Sequence, residues 1–216
     1  NFRDLATLLP ADVQPTKILF DLGTSSMQID DSGRGFTFRK KEPLVMTLSS
    51  VVTPETLTAR DIVNDWKEEN LATVIRGFGE ERYAGRIAHA IVTAREQKPI
   101  ETTTDLVAII DRAVPAMYKH GKIHPATRTF QALRIAVNDE LGAVEQGIRD
   151  GFERLASGGR MAVISFHSLE DRIVKHYFNS MIAEGRAERI TKKPIAPSDE
   201  EKQENPRSRS AKLRII

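Results

Sequence analysis

Apolar residues recur along this chain in two rhythms. Lys17-Ile18-Leu19-Phe20-Asp21-Leu22 is a short apolar run ending in a carboxylate and a polar Gly23-Thr24-Ser25-Ser26 loop, the pattern of a buried parallel strand with a loop at its carboxyl end. Arg160-Met161-Ala162-Val163-Ile164-Ser165-Phe166 repeats that pattern after the turn signal Ser157-Gly158-Gly159, and residues 211–216 alternate like a closing strand. Between the first two runs the period is helical: Ile62, Val63, Trp66 and Leu71 share a face, then Tyr83, Ile87, Ala88 and Ile91, then Leu106, Ile109, Ile110 and Val114. Thr104-Asp105 suits the cap of the third stripe, which Pro115 ends.

A further helix opens at His124-Pro125 and runs through Phe130, Leu133 and Leu141 to Leu155, with a break expected near Gly142 or Gly147. Ser168 with Asp171 three residues on reads as a loose capping box for the helix after the second strand. Residues 27–53, punctuated by Gly33, Gly35 and Pro43, read as a long functional loop, and residues 185–206 as a polar, mobile one. The expected fold is therefore α/β, with an all-helical segment interrupting it. The domain boundaries expected are residues 1–53 and 123–216 for the α/β part and residues 54–122 for a helical insertion.

Composition narrows the setting. With 216 residues, 40% of them hydrophobic and 29% charged, the chain is long enough for a real core and ordinary for a globular protein. No apolar run reaches the roughly 20 residues of a membrane span, and no secretory signal pattern is present. Cysteine is absent, which excludes disulfides and thiolate metal sites and suits a cytoplasmic setting. The formal charge is only +2, so affinity for nucleic acid has to come from local clusters.

Candidate chemistry gathers at the ends of the strands. Asp21, followed by glycine and hydroxyl residues, lies at the edge where open α/β sheets bind ligands, although a cap for the turn explains the same residues. His167 ends the second strand, where a structural histidine and a catalytic one look alike. A hydrolase built on Ser168 and His167 lacks its Gly-x-Ser-x-Gly elbow, and no His-Glu-x-x-His metal spacing occurs. His124, Arg128 and Arg134 form one basic set; Lys192, Lys193, Arg207, Arg209, Lys212 and Arg214 form another, with Asp199, Glu200, Glu201 and Glu204 interleaved. Residue pattern alone stops at an α/β protein with a helical insertion and phosphate-binding candidates.

Longer strings go further. Asn1-Phe2, Asp21-Leu22-Gly23-Thr24-Ser25-Ser26-Met27-Gln28, Arg34-Gly35-Phe36-Thr37-Phe38, Gly79-Glu80-Glu81-Arg82-Tyr83-Ala84 and His124-Pro125-Ala126-Thr127-Arg128 occur in that order. Ser165-Phe166-His167-Ser168-Leu169-Glu170-Asp171-Arg172 and Asn205-Pro206-Arg207-Ser208-Arg209-Ser210 follow. Together they resemble the bacterial 16S rRNA (cytosine-N4)-methyltransferase family, RsmH or MraW, across essentially the whole chain.

The resemblance implies a Rossmann-like class I methyltransferase sheet with an inserted, helical substrate-recognition domain. It also implies S-adenosyl-L-methionine as cofactor and 16S ribosomal RNA in the small subunit as substrate, with no membrane partner. By that resemblance Phe2, Asp21 and Gln28 contact the cofactor. On that reading Asp21, Ser25 and Ser26, with His167 nearby, are expected to frame the target base, and the basic residues His124, Arg128, Arg134, Arg207 and Arg209 are expected to hold RNA phosphates. The first strands and the cofactor's glycine loop are expected upstream of Asn1, so these residues by themselves are expected to be inactive, with an exposed sheet edge favouring oligomers such as a homodimer. One departure stands out: after Pro43-Leu44 the family carries Asp-Met-Arg-Met-Asp, and here Val45-Met46-Thr47-Leu48-Ser49 replaces it. A non-catalytic RNA-binding relative and a methyltransferase on another nucleic acid are the alternatives.

Overall fold

In the computed structural model, which describes residues 1–25, 31–121 and 123–216, the chain divides into two compact units. The first comprises residues 1–23 and 141–216, and the second residues 24–140. Ser26 and Gln28 lie outside the described residues.

The first unit begins with a 3-10 turn, Phe2–Asp4, and a single helical turn, α1 (Leu5–Leu8). Three strands form its sheet among the described residues: β1 (Lys17–Asp21), β2 (Arg160–Ser165) and β3 (Lys212–Ile215), in the order β1-β2-β3. β1 runs parallel to β2 with Lys17 opposite Arg160 and Asp21 opposite Ile164, and β3 runs antiparallel to β2. All three apolar runs of the sequence are thus strands of one sheet. β1 is less buried than its composition suggests, because only β2 pairs with it among the described residues: Phe20 is buried, while Leu19 is 65% exposed.

Two long helices cover this sheet, α8 (Glu140–Arg154, of which Glu140 belongs to the second unit) and α9 (Ser168–Ala183). Val144 and Ile148 of α8 and Val174 and Phe178 of α9 close on Phe20, Met161, Val163 and Ile216. Gly147 leaves a notch that the Phe2 ring fills, since a Cβ there would lie 2.6 Å from the ring. Arg154 anchors the segment before β1 by donating to the carbonyls of Pro10 and, at 3.1 Å, Val13. The loop expected over residues 185–206 contains a helical turn, α10 (Asp199–Glu204), which the Ser198 hydroxyl caps.

The second unit is a helical body: α2 (Ala59–Asp65), α3 (Glu68–Gly79), α4 (Ala84–Gln97), α5 (Thr103–Ala113), α6 (Ala116–Lys119) and α7 (Ala126–Asn138). Ile62, Leu71, Ile75, Ile87, Ile91, Leu106, Ile110 and Leu133 are fully buried in one core, as their helical spacing requires. The expected stripe from Ile62 to Leu71 is split between α2 and α3, with Trp66 in extended backbone between them. The cap of α5 is Thr102 rather than Thr104: its hydroxyl accepts from the Asp105 N–H while the Asp105 carboxylate takes the Thr102 N–H, a capping box that Thr58 and Asp61 repeat on α2. The long helix breaks at Asp139 and not at Gly142 or Gly147, because Asp139 takes left-handed backbone (φ 45°), which a short polar side chain tolerates.

The loop before α2 is closely held to this body. Gly35 (φ 82°) passes so near the Pro43 carbonyl that a Cβ would sit 2.4 Å from its oxygen, and its N–H donates to buried Glu42 at 2.8 Å. Leu44 and Met46 join the core. The departing segment is fixed by Asn138, whose amide donates to the Met46 carbonyl (2.8 Å) and accepts from the Leu48 N–H (2.7 Å). Thr47 is buried with its hydroxyl on the Ser49 carbonyl, so a charged side chain at this position would need a partner that the uncharged segment does not require.

Candidate active site at two strand ends

Parallel pairing sets the site. The β1–β2 register continues one step past β1, where the Leu22 N–H donates to the Ile164 carbonyl at 3.0 Å. Asp21 therefore ends beside Ile164, and His167 follows three residues on, two past the end of β2. Gly23 turns the chain away in left-handed backbone (φ 93°), with the Phe166 ring 3.6 Å from where a Cβ would lie. Asp21 is exposed at this edge and His167 is half-buried. Carboxyl ends of parallel strands, where a buried sheet opens to solvent, are the common ligand edge of α/β folds.

His167 has a structural task that the sequence pattern assigned to Ser168. It is the N-cap of α9: Nδ1 accepts from the Glu170 N–H at 3.4 Å. Glu170 answers with its carboxylate, which accepts from the N–H groups of Phe166 (2.8 Å) and His167 (3.2 Å). An accepting Nδ1 places the ring proton of the neutral imidazole on Nε2. Nε2 lies 3.2 Å from Glu170 Oε1 and has no aligned hydrogen-bond partner among the described residues. Glu170 was missed as a site residue; the three-residue spacing from His167 to Glu170 was its signal. Burial raises the Glu170 carboxyl, but the adjacent His167 ring and the backbone N–H groups of Phe166 and His167 outweigh it and leave it below its ordinary range.

The other expected residues are placed as follows. Phe2 packs edge to face on Phe20, with centroids 5.8 Å apart. Ser25 is exposed and belongs to the second unit. His124 is exposed, stacks on Phe38 (4.7 Å) and accepts the Ala126 N–H at 3.2 Å, while Arg128 donates to the Glu80 carbonyl at 2.6 Å. Arg134 is largely covered and makes a bidentate pair with Glu140 at 2.7 and 2.9 Å. Arg207 and Arg209 sit exposed in the 3-10 turn Pro206–Ser210.

The basic set near the carboxyl end is partly consumed internally. Lys212 (3.0 Å) and Arg214 (2.7 and 3.2 Å) both donate to Asp171, one turn into α9. Burial raises the Asp171 carboxyl, and the hydrogen bonds and charges of Arg214 and Lys212 bring it below its ordinary range. A carboxyl held low in the folded state stabilises it above the unfolded value and ceases to do so as pH falls through the folded one. Asp171 and Glu170 act in the same direction. The midpoint of thermal unfolding is expected to hold from pH 7 to pH 5 and to fall below about pH 4.5, near the unfolded carboxyl values; an Asp171→Asn variant should show a shallower acid limb.

The model of the MraW methylase family matches residues 1–216. The ribosomal RNA small subunit methyltransferase H of Deinococcus radiodurans is 52% identical over 217 residues, covering 100% of this chain and 67% of that protein. Its namesake in a Synechocystis species is 52% identical over 214 residues, 99% of this chain and 66% of that protein. Its namesake in a Sulfurihydrogenibium species is 51% identical over 217 residues, 100% and 73%. The chain thus spans about two thirds of the length of these relatives. With its match running from the first residue to the last, the chain belongs to the MraW methylase family.

Proposed function

We propose that the full-length protein transfers a methyl group from S-adenosylmethionine to the N4 amine of a cytidine in 16S ribosomal RNA, in the cytoplasm where small subunits mature. The observation that carries this reading is the parallel register that sets Asp21 beside the strand end bearing His167, in a member of a methylase family. The relatives' name, ribosomal RNA small subunit methyltransferase H, supports the choice of substrate.

An exposed carboxylate at a strand end, followed by left-handed Gly23, suits a ligand that pairs a nucleoside with a positive charge. Phe2, Asp21 and Gln28 would hold it. When bound, S-adenosylmethionine supplies an electrophilic methyl group, its sulfur keeping the bonding electron pair as N4 forms the new C–N bond. The N4 lone pair is delocalised into the ring, so the protein must orient the amine and accept its proton. His167 has Nδ1 occupied by the helix cap and Nε2 buried 3.2 Å from Glu170 Oε1, so it has no basic lone pair for the substrate. It therefore fixes the strand end that frames the base, and Asp21 accepts the proton. Ser25 and Ser26 follow Asp21 along the chain, and their hydroxyls would help it frame the base. A paired cytidine must leave its stack to reach such a site.

Residues 54–122 act as the substrate-recognition insertion. His124, Arg128, Arg207 and Arg209 contribute phosphate contacts, as does Arg134 to the extent that its pairing with Glu140 leaves N–H groups free. Mass spectrometry of 16S RNA from a strain lacking the gene tests the proposal. One cytidine is expected to lose its N4 methyl group and to regain it when the full-length gene is restored. Unaltered RNA would point to another nucleic acid or to a non-catalytic relative, which failure to bind S-adenosylmethionine in calorimetry would identify.

A further inference from the structure

The Gly79-Glu80-Glu81-Arg82-Tyr83-Ala84 string serves neither the strand-end site nor, apart from the Glu80 carbonyl, the contacts assigned above, yet it builds a distinct cluster in the helical unit. Glu81 is 1% exposed. One of its carboxylate oxygens accepts from the Tyr83 N–H at 2.8 Å and the other from the Tyr118 hydroxyl at 2.5 Å. Burial, that hydrogen bond and the charge of Glu81 push the Tyr118 hydroxyl up to about 12, so it remains a donor at neutral pH. The two rings held in this way meet edge to face, with centroids 4.9 Å apart and planes at 73°.

Arg82 lies over both rings. Its Cζ is 4.8 Å from the Tyr83 centroid and 4.9 Å from that of Tyr118. The Arg86 Cζ is 5.9 Å from the Tyr83 centroid, and the charge of Arg128 reaches the Tyr118 hydroxyl. The buried carboxylate is thus committed to fixing two rings and not to neutralising arginine. A stacked guanidinium uses its faces, which leaves its in-plane N–H donors for another partner. Among the described residues, rings and not carboxylates hold Arg82, whose side chain is exposed.

We propose that Arg82, ordered on Tyr83 and Tyr118 and flanked by Arg86 and Arg128, grips a backbone phosphate of an unpaired segment of the substrate RNA. Planar guanidinium forks match phosphate oxygens, and aromatic faces beside them suit exposed bases, a combination that fits single-stranded RNA better than an acidic protein surface. The assignment rests on the reading of the protein as an RNA methyltransferase and adds a contact that the strand-end chemistry does not require.

The test is steady-state methylation of unmodified small ribosomal subunits by the full-length protein at several salt concentrations. Arg82→Ala is expected to raise KM for the subunits about tenfold, leave kcat within about twofold, and make the salt dependence shallower by about one phosphate contact. Arg82→Lys, which keeps the charge without the planar stack, should fall between the two. The melting midpoint and the affinity for S-adenosylmethionine should match wild type in both variants, which separates a substrate contact from a folding defect. An unchanged KM and salt slope in Arg82→Ala, with wild-type protein active, overturns the Arg82 assignment alone. A wild-type protein that leaves the subunits unmethylated removes the functional reading beneath it, and this assignment too.

Discussion

Full-length protein carrying Asp21→Ala is expected to methylate small ribosomal subunits at least about 100-fold more slowly than wild type, in line with the usual contribution of one positioned proton acceptor. Asp21 is exposed at the end of β1, and its neighbour across the sheet leads within three residues to His167. The His167 Nδ1 lone pair is already engaged by the helix cap, so the carboxylate is the basic group left at this edge. Asp21→Asn keeps the shape and some hydrogen bonding while removing the charge, and should be nearly as slow if proton acceptance is the main role. Both variants should weaken S-adenosylmethionine binding less than they slow turnover, which calorimetry beside single-turnover kinetics can resolve. Wild-type turnover by Asp21→Ala would remove this residue from the chemistry.

Glu170→Ala is expected to lower stability by about 2–4 kcal/mol, since it strands two N–H donors and removes half of a capping box. The donors belong to Phe166 and His167, and the carboxylate that serves them is 2% exposed, so water cannot readily take its place. Denaturant unfolding with an unchanged slope would read the loss directly. Glu170→Gln retains one oxygen acceptor and should cost less. Because the folded-state carboxyl is held below its ordinary range, wild type loses this contribution as acid protonates Glu170; the glutamine variant, having nothing to titrate, should lose less between pH 5 and pH 3. A Glu170→Ala protein as stable as wild type would show that the cap is ornamental.

The strands were legible because their apolar runs are bounded by turn residues: residues 17–22 and 160–166 carry the same signature, and the alternation of residues 211–216 marks the third. The helical faces were legible for the same kind of reason, as the burial of Leu71 and Ile75, or of Ile87 and Ile91, follows a spacing of four. Helix ends were harder. Asp139 stops α7 by adopting left-handed backbone at a residue that carries no obvious break signal, whereas the nearby glycines continue α8. The α9 cap was assigned one residue late because serine is a common N-cap and histidine is not, although Glu170 stood at the matching distance.

Charge was the least legible property. Arg134 pairs with Glu140 across the break at Asp139, six residues away, where no continuous-helix rule would place a partner. Lys212 and Arg214 meet Asp171 from 41 and 43 residues away, a juxtaposition that only the antiparallel β2–β3 pairing creates. Basic clusters read from a linear string thus mix cations that are consumed internally with others, such as Arg82, that rest on rings.

The pairing of residues 17–21 with residues 160–164 has a consequence for how the nascent chain acquires its shape. Everything needed for the helical core, from Leu44 to Leu133, has been synthesised before the first residue of β2 exists. Vectorial synthesis therefore lets the interrupting body mature first, while the edge of β1 that β2 will take waits open. That interval is the stage at which chaperones have most to shield, and closure of the sheet is a late, long-range event paced by the distance between its halves along the polypeptide.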